Sequence, residues 1–283
     1  MSQIAGGRLS KLTAFATESG GGNPAGVWIG DRLPNVGVMQ QIAIDVGFSE
    51  TAFLARTGEG RWTTRYYSPE AEVSFCGHAT IASGVALGER FGDGEYLLDT
   101  AVGEVPVRVK TRDGVRFAAL TSIEPSYEKP GDGLLEGVLS AIDWEQGDLD
   151  PEIPPARAFA GAWHLVIAVT ERSRLSRLDY DFDALRKVME DDGLTTTQLV
   201  WREIPTTFHS RNPFPVGGVV EDPATGAAAA ALGGYLRETG LVEVPALITI
   251  IQGVDIGRPS QLTVDVPPSG GIVVSGPAVE FER

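Results

Sequence analysis

Short apolar runs broken by glycine, proline and polar clusters dominate this chain, a pattern that predicts many strands and few helices. Leu9 to Ala16 reads as a strand, followed by a polar glycine-rich loop from Ser19 to Gly22. Asn23-Pro24-Ala25-Gly26 then leads into a strand at Val27 to Ile29. From Asn35 the apolar positions Val38, Ile42 and Val46 step by four, which predicts a helix stopping at Gly47. A strand begins in Phe48 to Leu54, so Glu50 falls at a helix-to-strand junction, and Arg61 to Tyr67 alternates as a second strand. Ala79 to Arg90, free of proline and rich in small residues, predicts a helix ending near Gly92 and slim enough to thread a closed sheet. Glu95 to Thr100, Glu104 to Thr111 and Val115 to Leu120 form a meander of strands.

Ser122 to Gly133 carries Pro125, Pro130, Gly131 and Gly133 and marks a boundary between a first domain at 1–121 and a second at 134–283. In the second half, helices are expected at Leu134 to Ile142 and Phe182 to Met189, and strands at Trp163 to Val169 and Leu199 to Ile204. Gly218 to Gly226 runs into another small-residue helix, Ala227 to Glu238, ended by Gly240. Strands at Ala246 to Gln252, Ser260 to Val266 and Ile272 to Glu280 complete the chain, the last expected to pack back on the first domain. A shift of 149 positions lays one small-residue helix over the other, pairing Gly77 with Gly226, Ala82 with Ala231 and Leu87 with Leu236. The fold class expected is α+β, with two pseudo-symmetric domains, each a curved, mostly antiparallel sheet wrapped around a central helix.

Composition narrows the function. The 283 residues carry a net charge of −15, which repels phosphate backbones and anionic lipid, so neither nucleic acid nor a membrane is an expected partner. One cysteine, Cys76, and three histidines are too few and too scattered for a spaced zinc site, so no metal is expected, and a reducing, cytoplasmic location is. The chain has no phosphate loop of the Gly-Lys-Ser type and no dinucleotide fingerprint, and no cofactor is expected.

Chemistry is expected at the starts of the two small-residue helices. Such a start presents unpaired backbone N–H groups and the positive end of the helix dipole, and two of them would hold a substrate carboxylate. Gly77, His78, Gly226 and Ala227 are the donors so named. Glu50, between Phe48 and the apolar stretch Thr51-Ala52-Phe53, is the candidate general acid/base. On local grounds alone Glu50 reads more readily as a solvated charge at a strand end and Cys76 as a small buried apolar residue, while Asp222 reads equally as a helix cap. His164 and His209 read as structural, and the segment Phe208 to Phe214 carries no decisive pattern.

Five strings in order resemble the phenazine-biosynthesis isomerase family: Gly22 to Val27, Ser49 to Phe53, Phe75 to Thr80, Glu221 to Gly226, and Gln252-Gly253 with Gly257 to Ser260. The resemblance spans nearly the whole chain and implies the diaminopimelate-epimerase-like fold, with an active site in the cleft between two domains. It also implies that Glu50 is the proton shuttle and that Asp222 and His78 are its polar partners. Gly77, Gly226, Ala227, Asn23 and Cys76 are then the substrate contacts, and a homodimer is expected. Epimerases of this fold use two thiols, whereas this chain has Cys76 and no second one near Asp222 to Gly226. Many relatives carry serine directly after the second Thr-Gly, where Ala227 stands here, so one hydroxyl donor is missing.

The leading expectation is a cofactor-free isomerase that moves a proton within a small unsaturated carboxylic acid. A second keeps the fold but uses Cys76, with Asp222 in place of the other thiol, to epimerise an amino or hydroxy acid. A third is a small-acid binding protein without catalysis, or an oligomer-building subunit.

Overall fold

The computed structural model describes residues 2–16, 18 and 20–282. Ser19, at the head of the expected polar loop, lies outside the described residues. The chain divides into two compact units, residues 1–121 with 275–283, and residues 122–274.

In the first unit the chain runs through β1 (Ser2–Ile4), β2 (Gly7–Ala14), β3 (Asn23–Gly30), α1 (Val36–Val46), β4 (Glu50–Gly58), β5 (Arg61–Tyr67), β6 (Glu72–Val73), α2 (Gly77–Phe91), β7 (Gly94–Thr100), β8 (Gly103–Arg112) and β9 (Val115–Thr121). Neighbours pair antiparallel except β3 with β4 and β5 with β7, the two parallel pairs. A parallel pair needs a crossover, and α1 and α2 are those crossovers. The helix at Asn35 is as the spacing predicts: the Asn35 side chain accepts the Val38 N–H at 3.0 Å, and Gly47 closes the helix at φ 71°. Its inner face, Met39, Ile42, Ala43 and Val46, packs with Leu9, Trp28, Phe53 and Tyr67. Each fully buried side chain of this size contributes about 1.5–3 kcal/mol. Strand β2 stops at Ala14, short of the expected Ala16, because Phe15 turns to φ 63° and gives its N–H to Pro277 O at 2.7 Å.

The second unit contains β10 (Ser126–Glu128), α3 (Asp132–Ala141), β11 (Ala156–Phe159), β12 (Trp163–Val169), α4 (Arg172–Ser176), α5 (Phe182–Asp191), β13 (Thr196–Ile204), β14 (Thr207–Phe214), β15 (Val219–Asp222), α6 (Gly226–Glu238), β16 (Ala246–Gln252) and β17 (Ser260–Val266). Here β12 with β13 and β14 with β16 are the parallel pairs, bridged by α4 with α5 and by α6. The final strand, β18 (Val273–Glu280), starts in this unit and ends in the first, where Ala278 lies opposite Ala14 of β2.

Helices α2 and α6 are the axes of their units. Every residue from His78 to Gly88 of α2 is buried, as is every residue from Ala228 to Arg237 of α6. Strands β2, β3, β4, β8 and β9 touch α2, while β10, β11, β12 and β17 touch α6. This all-round contact explains the small side chains read in the sequence. A Cβ on Gly84 would stand 2.7 Å from Ala118 Cβ and Val107 Cγ1, and one on Gly234 would stand 2.4 Å from Pro125 Cβ. Larger residues would force the sheet away from its axis. Among the described residues, no helix is long and apolar enough to cross a membrane.

Candidate active site

The first unit gathers three ionisable side chains at the start of α2. Glu50 opens β4, with Ala25 of β3 as its cross-strand neighbour, and Cys76 and His78 flank the first residue of the helix. His78 Nε2 lies 3.3 Å from Glu50 Oε2 and 3.5 Å from Ser49 Oγ, and Cys76 Sγ lies 3.4 Å from His78 Nδ1. The His78 side chain is 9% exposed and that of Glu50 21%, and Cys76 is buried. The distance between Glu50 and His78 is that of an ion pair, yet the angles leave the buried Glu50 Oε2 without a hydrogen bond. A carboxylate oxygen in that condition keeps a lone pair available for a proton. Glu50 is therefore no solvated strand-end charge.

The helix start itself is held from behind. Cys76 is the cap residue and makes no side-chain cap bond, and the helical ladder begins with Thr80 N–H to Cys76 O at 3.0 Å. The N–H groups of Gly77, His78 and Ala79 thus precede the ladder. Thr80 Oγ1 also donates to Cys76 O at 2.7 Å and shares a 2.7 Å bond with the Tyr66 hydroxyl, a phenol that burial keeps protonated. Gly77 has no left-handed φ, and a Cβ there would meet nothing within 4 Å. Neither backbone nor packing demands glycine here, and the space beside Gly77 is unfilled. Asn23 is buried at the first position of β3.

The second unit builds the start of α6 differently. Thr225, not Asp222, is the cap residue, and its hydroxyl donates to Asp222 Oδ2 at 2.6 Å. Buried Gln252, from the end of β16, accepts the Thr225 N–H at 3.1 Å and donates to Asp222 O at 2.7 Å and to Thr225 Oγ1 at 3.0 Å. Next to it, Gly253 sits at φ 74°, where a Cβ would come within 2.3 Å of Arg258 O and 2.8 Å of Pro223 O. The Gln252-Gly253 string is thus the bolt that closes the Asp222–Thr225 turn. The helical ladder starts with Ala229 N–H to Thr225 O at 3.0 Å, behind the N–H groups of Gly226, Ala227 and Ala228.

The undecided segment Phe208 to Phe214 is strand β14, which carries this turn. Asn212 lies opposite Asp222 and Ser210 opposite Gln252. Asn212 Nδ2 donates to Gln198 Oε1 at 2.9 Å and to Thr196 Oγ1 at 3.2 Å, and Ser210 Oγ donates to Asn212 Oδ1 at 2.8 Å. His164 Nδ1 joins them, 2.8 Å from Thr196 Oγ1, and burial pushes this imidazole down to about 3. His164 is therefore neutral and structural, as expected. Arg211 pairs with buried Glu221 at 2.6 Å, against a burial that pushes the Glu221 carboxyl up.

The structure therefore brings Glu50, Cys76 and His78 together, and separately brings Asp222 to the start of α6 with Gly226 and Ala227. Ser49, Gln252 and Asn212 were missed as contributors. Ser49 and Gln252 stood inside the recognised strings, and Asn212 in the undecided segment, but nothing local signals their distant partners.

A sequence model of the family described as "Phenazine biosynthesis-like protein" matches residues 12–283. The chain belongs to this family. Relatives include the uncharacterized isomerase YfhB of Bacillus subtilis, 29% identical over 96% of each chain. The trans-2,3-dihydro-3-hydroxyanthranilate isomerase of Pseudomonas fluorescens is 30% identical, again over 96% of each. Among solved structures, the Bacillus anthracis phenazine biosynthesis protein of the PhzF family superposes with a TM-score of 0.85 at 24% identity, covering 97% of this chain and 96% of that one. A hydroxyproline epimerase from Agrobacterium vitis gives 0.66 at 14% identity, covering 98% of this chain and 91% of that one. The family expectation is met, its curated relatives are named as isomerases, and the sheet-rich α+β fold with few helices matches that of the epimerase-like neighbours.

Proposed function

We propose that the chain is a cofactor-independent isomerase that relocates a proton within a small unsaturated carboxylic acid, with Glu50 as the group that removes and returns it. The observation that carries the reading is Glu50 Oε2, buried and without a hydrogen bond beside the open start of α2. Glu50 takes the proton from an allylic C–H bond. The electron pair left behind moves into the neighbouring double bond and on toward the substrate carboxylate. The N–H groups of Gly77, His78 and Ala79 meet that growing negative charge, aided by the positive end of the α2 dipole. The protonated Glu50 then delivers its proton to the other end of the allylic system, the carbon that the double bond has left, so the net change is isomerisation. His78, with Nε2 3.3 Å from Glu50 Oε2, packs beside the carboxylate and helps to confine it.

The family kinship extends the proposal to Asp222, as a polar group that contacts substrate, and to a common ancestry of the two units. The second inference is supported by the same sequence of pairings in both, each with a slim crossover helix between parallel strands. Trans-2,3-dihydro-3-hydroxyanthranilate, the acid named for a relative, is the first substrate to try. In deuterated buffer the chain should introduce deuterium into such an acid. Glu50→Gln should slow that exchange at least about a hundredfold, the lower end of what a general base contributes. Exchange at the wild-type rate would end the reading.

Cys76 supports a second reading, epimerisation through the thiol, because His78 Nδ1 at 3.4 Å can accept its proton. Cys76→Ala separates the two: it abolishes turnover in an epimerase and only weakens an isomerase that uses Glu50.

A further inference from the structure

The sequence offers too few histidines and cysteines for a spaced metal site, but the fold adds a carboxylate from another strand. Glu50, Cys76 and His78 present one ligand atom each, and all three atoms lie within 4.8 Å of one another. His78 Nε2 is 3.3 Å from Glu50 Oε2 and 3.8 Å from Cys76 Sγ. Tetrahedral zinc, with bonds of about 2.0–2.3 Å, separates its ligands by roughly 3.3–3.6 Å, so the two His78 gaps already fit to within a few tenths of an ångström, and the Glu50 and Cys76 side chains, within 4.8 Å of each other, close on the ion to complete three corners. The donor set is sulfur, imidazole nitrogen and a single carboxylate, which suits Zn²⁺ or Co²⁺ and is too poor in oxygen for Mg²⁺ or Ca²⁺. Glu50 Oε2 is buried without a hydrogen bond, so it keeps a lone pair to give a cation. The positive end of α2, equivalent to roughly half an elementary charge, works against a cation. A thiolate and a carboxylate together outweigh it.

We propose that the Glu50–Cys76–His78 cluster binds one soft divalent cation of the zinc class, and that its occupancy switches the site off. Binding replaces the thiol proton of Cys76, which leaves to solvent, with a metal–sulfur bond. The same cation takes the lone pair of Glu50 Oε2, the pair that the proposed isomerisation needs. The inhibitory half of this inference rests on that proposed reaction, whereas the binding half does not.

The test uses the full chain, stripped with a chelator and titrated with CoCl₂. One Co²⁺ per chain should bind, with a near-ultraviolet thiolate-to-cobalt absorption that ZnCl₂ abolishes by displacement. Cys76→Ser should lose the absorption. Glu50→Gln should keep it with affinity at least tenfold weaker, and His78→Asn, a second variant checked for a native melting curve, should weaken binding likewise. Absence of the band, its survival in Cys76→Ser, or binding that His209→Ala removes through the exposed His209–Glu203 pair would overturn the proposal. The spectrum needs no turnover, so its failure is distinct from failure of the isomerase reading. Where exchange is measurable, ZnCl₂ should stop it in proportion to occupancy and a chelator should restore it. Undiminished exchange at full occupancy would overturn the inhibitory half.

Discussion

The starts of α2 and α6 are the same device made from opposite materials. At α2 the side chains are ionisable, a glutamate, a cysteine and a histidine, and the gaps from His78 to the other two run from 3.3 to 3.8 Å. At α6 a threonine hydroxyl and a glutamine amide grip one carboxylate turn through bonds of 2.6 to 3.1 Å. Groups that exchange protons cannot also be saturated with hydrogen bonds, since each bond fixes the proton that must move. The difference is one of hydrogen-bond saturation: sparse at the start of α2, complete around the Asp222–Thr225 turn.

That contrast can be broken most forcefully with acid. The second unit keeps His164 neutral, with its titration pushed from 6.5 down to about 3. A depressed folded value means stability that is complete above about pH 6.5 and lost as pH falls toward 3, worth roughly 5 kcal/mol at most. Chemical unfolding across this range should show a slope that His164→Gln removes. An unchanged slope would deny the second unit its neutral core.

Paired truncations at the two helix starts come next. Gln252→Ala leaves the Thr225 N–H and the Asp222 carbonyl without their amide and should cost about 2–4 kcal/mol in denaturant titration. Ser49→Ala removes only a 3.5 Å approach to His78 and should cost under about 1 kcal/mol. Equal losses would erase the distinction between the two starts. The smallest effect is expected from Ala227→Ser, which should move stability by less than about 0.5 kcal/mol while changing the ranking of candidate acids in the exchange assay. An unchanged ranking would mean that residue 227 does not face the substrate.

Much of this was legible in the sequence where the signal is local. Asn35 and Gly47 bracket α1, and Arg61–Tyr67, Trp163–Val169, Ala246–Gln252 and Ser260–Val266 are strands at the expected bounds. Strand β13 begins at Thr196 instead of Leu199 because Thr196, Thr197 and Gln198 are buried polar residues, which an apolar pattern assigns to solvent. Strand β14 escaped for the same reason: His209, Ser210, Arg211 and Asn212 break the alternation, and what keeps Arg211 inside is Glu221 of β15. Two-residue β6 is too short to carry any period. At the two helix starts, Glu50, Cys76, His78 and Asp222 were named through the family strings. Gln252 stood among them without a role, because its partners lie at 222 and 225 and only the fold brings them within reach.

The last strand has a consequence for how the molecule is born. Residues 122–274 make up the second unit, whereas the first needs 275–283 as well as 1–121. A ribosome that has already released the first 121 residues must go on to deliver the whole second unit before β18 can close the sheet of the first. Until then the Leu12–Ala14 end of the β2 edge, beyond the stretch that β1 covers, must wait for its partner, exposed to stray strands.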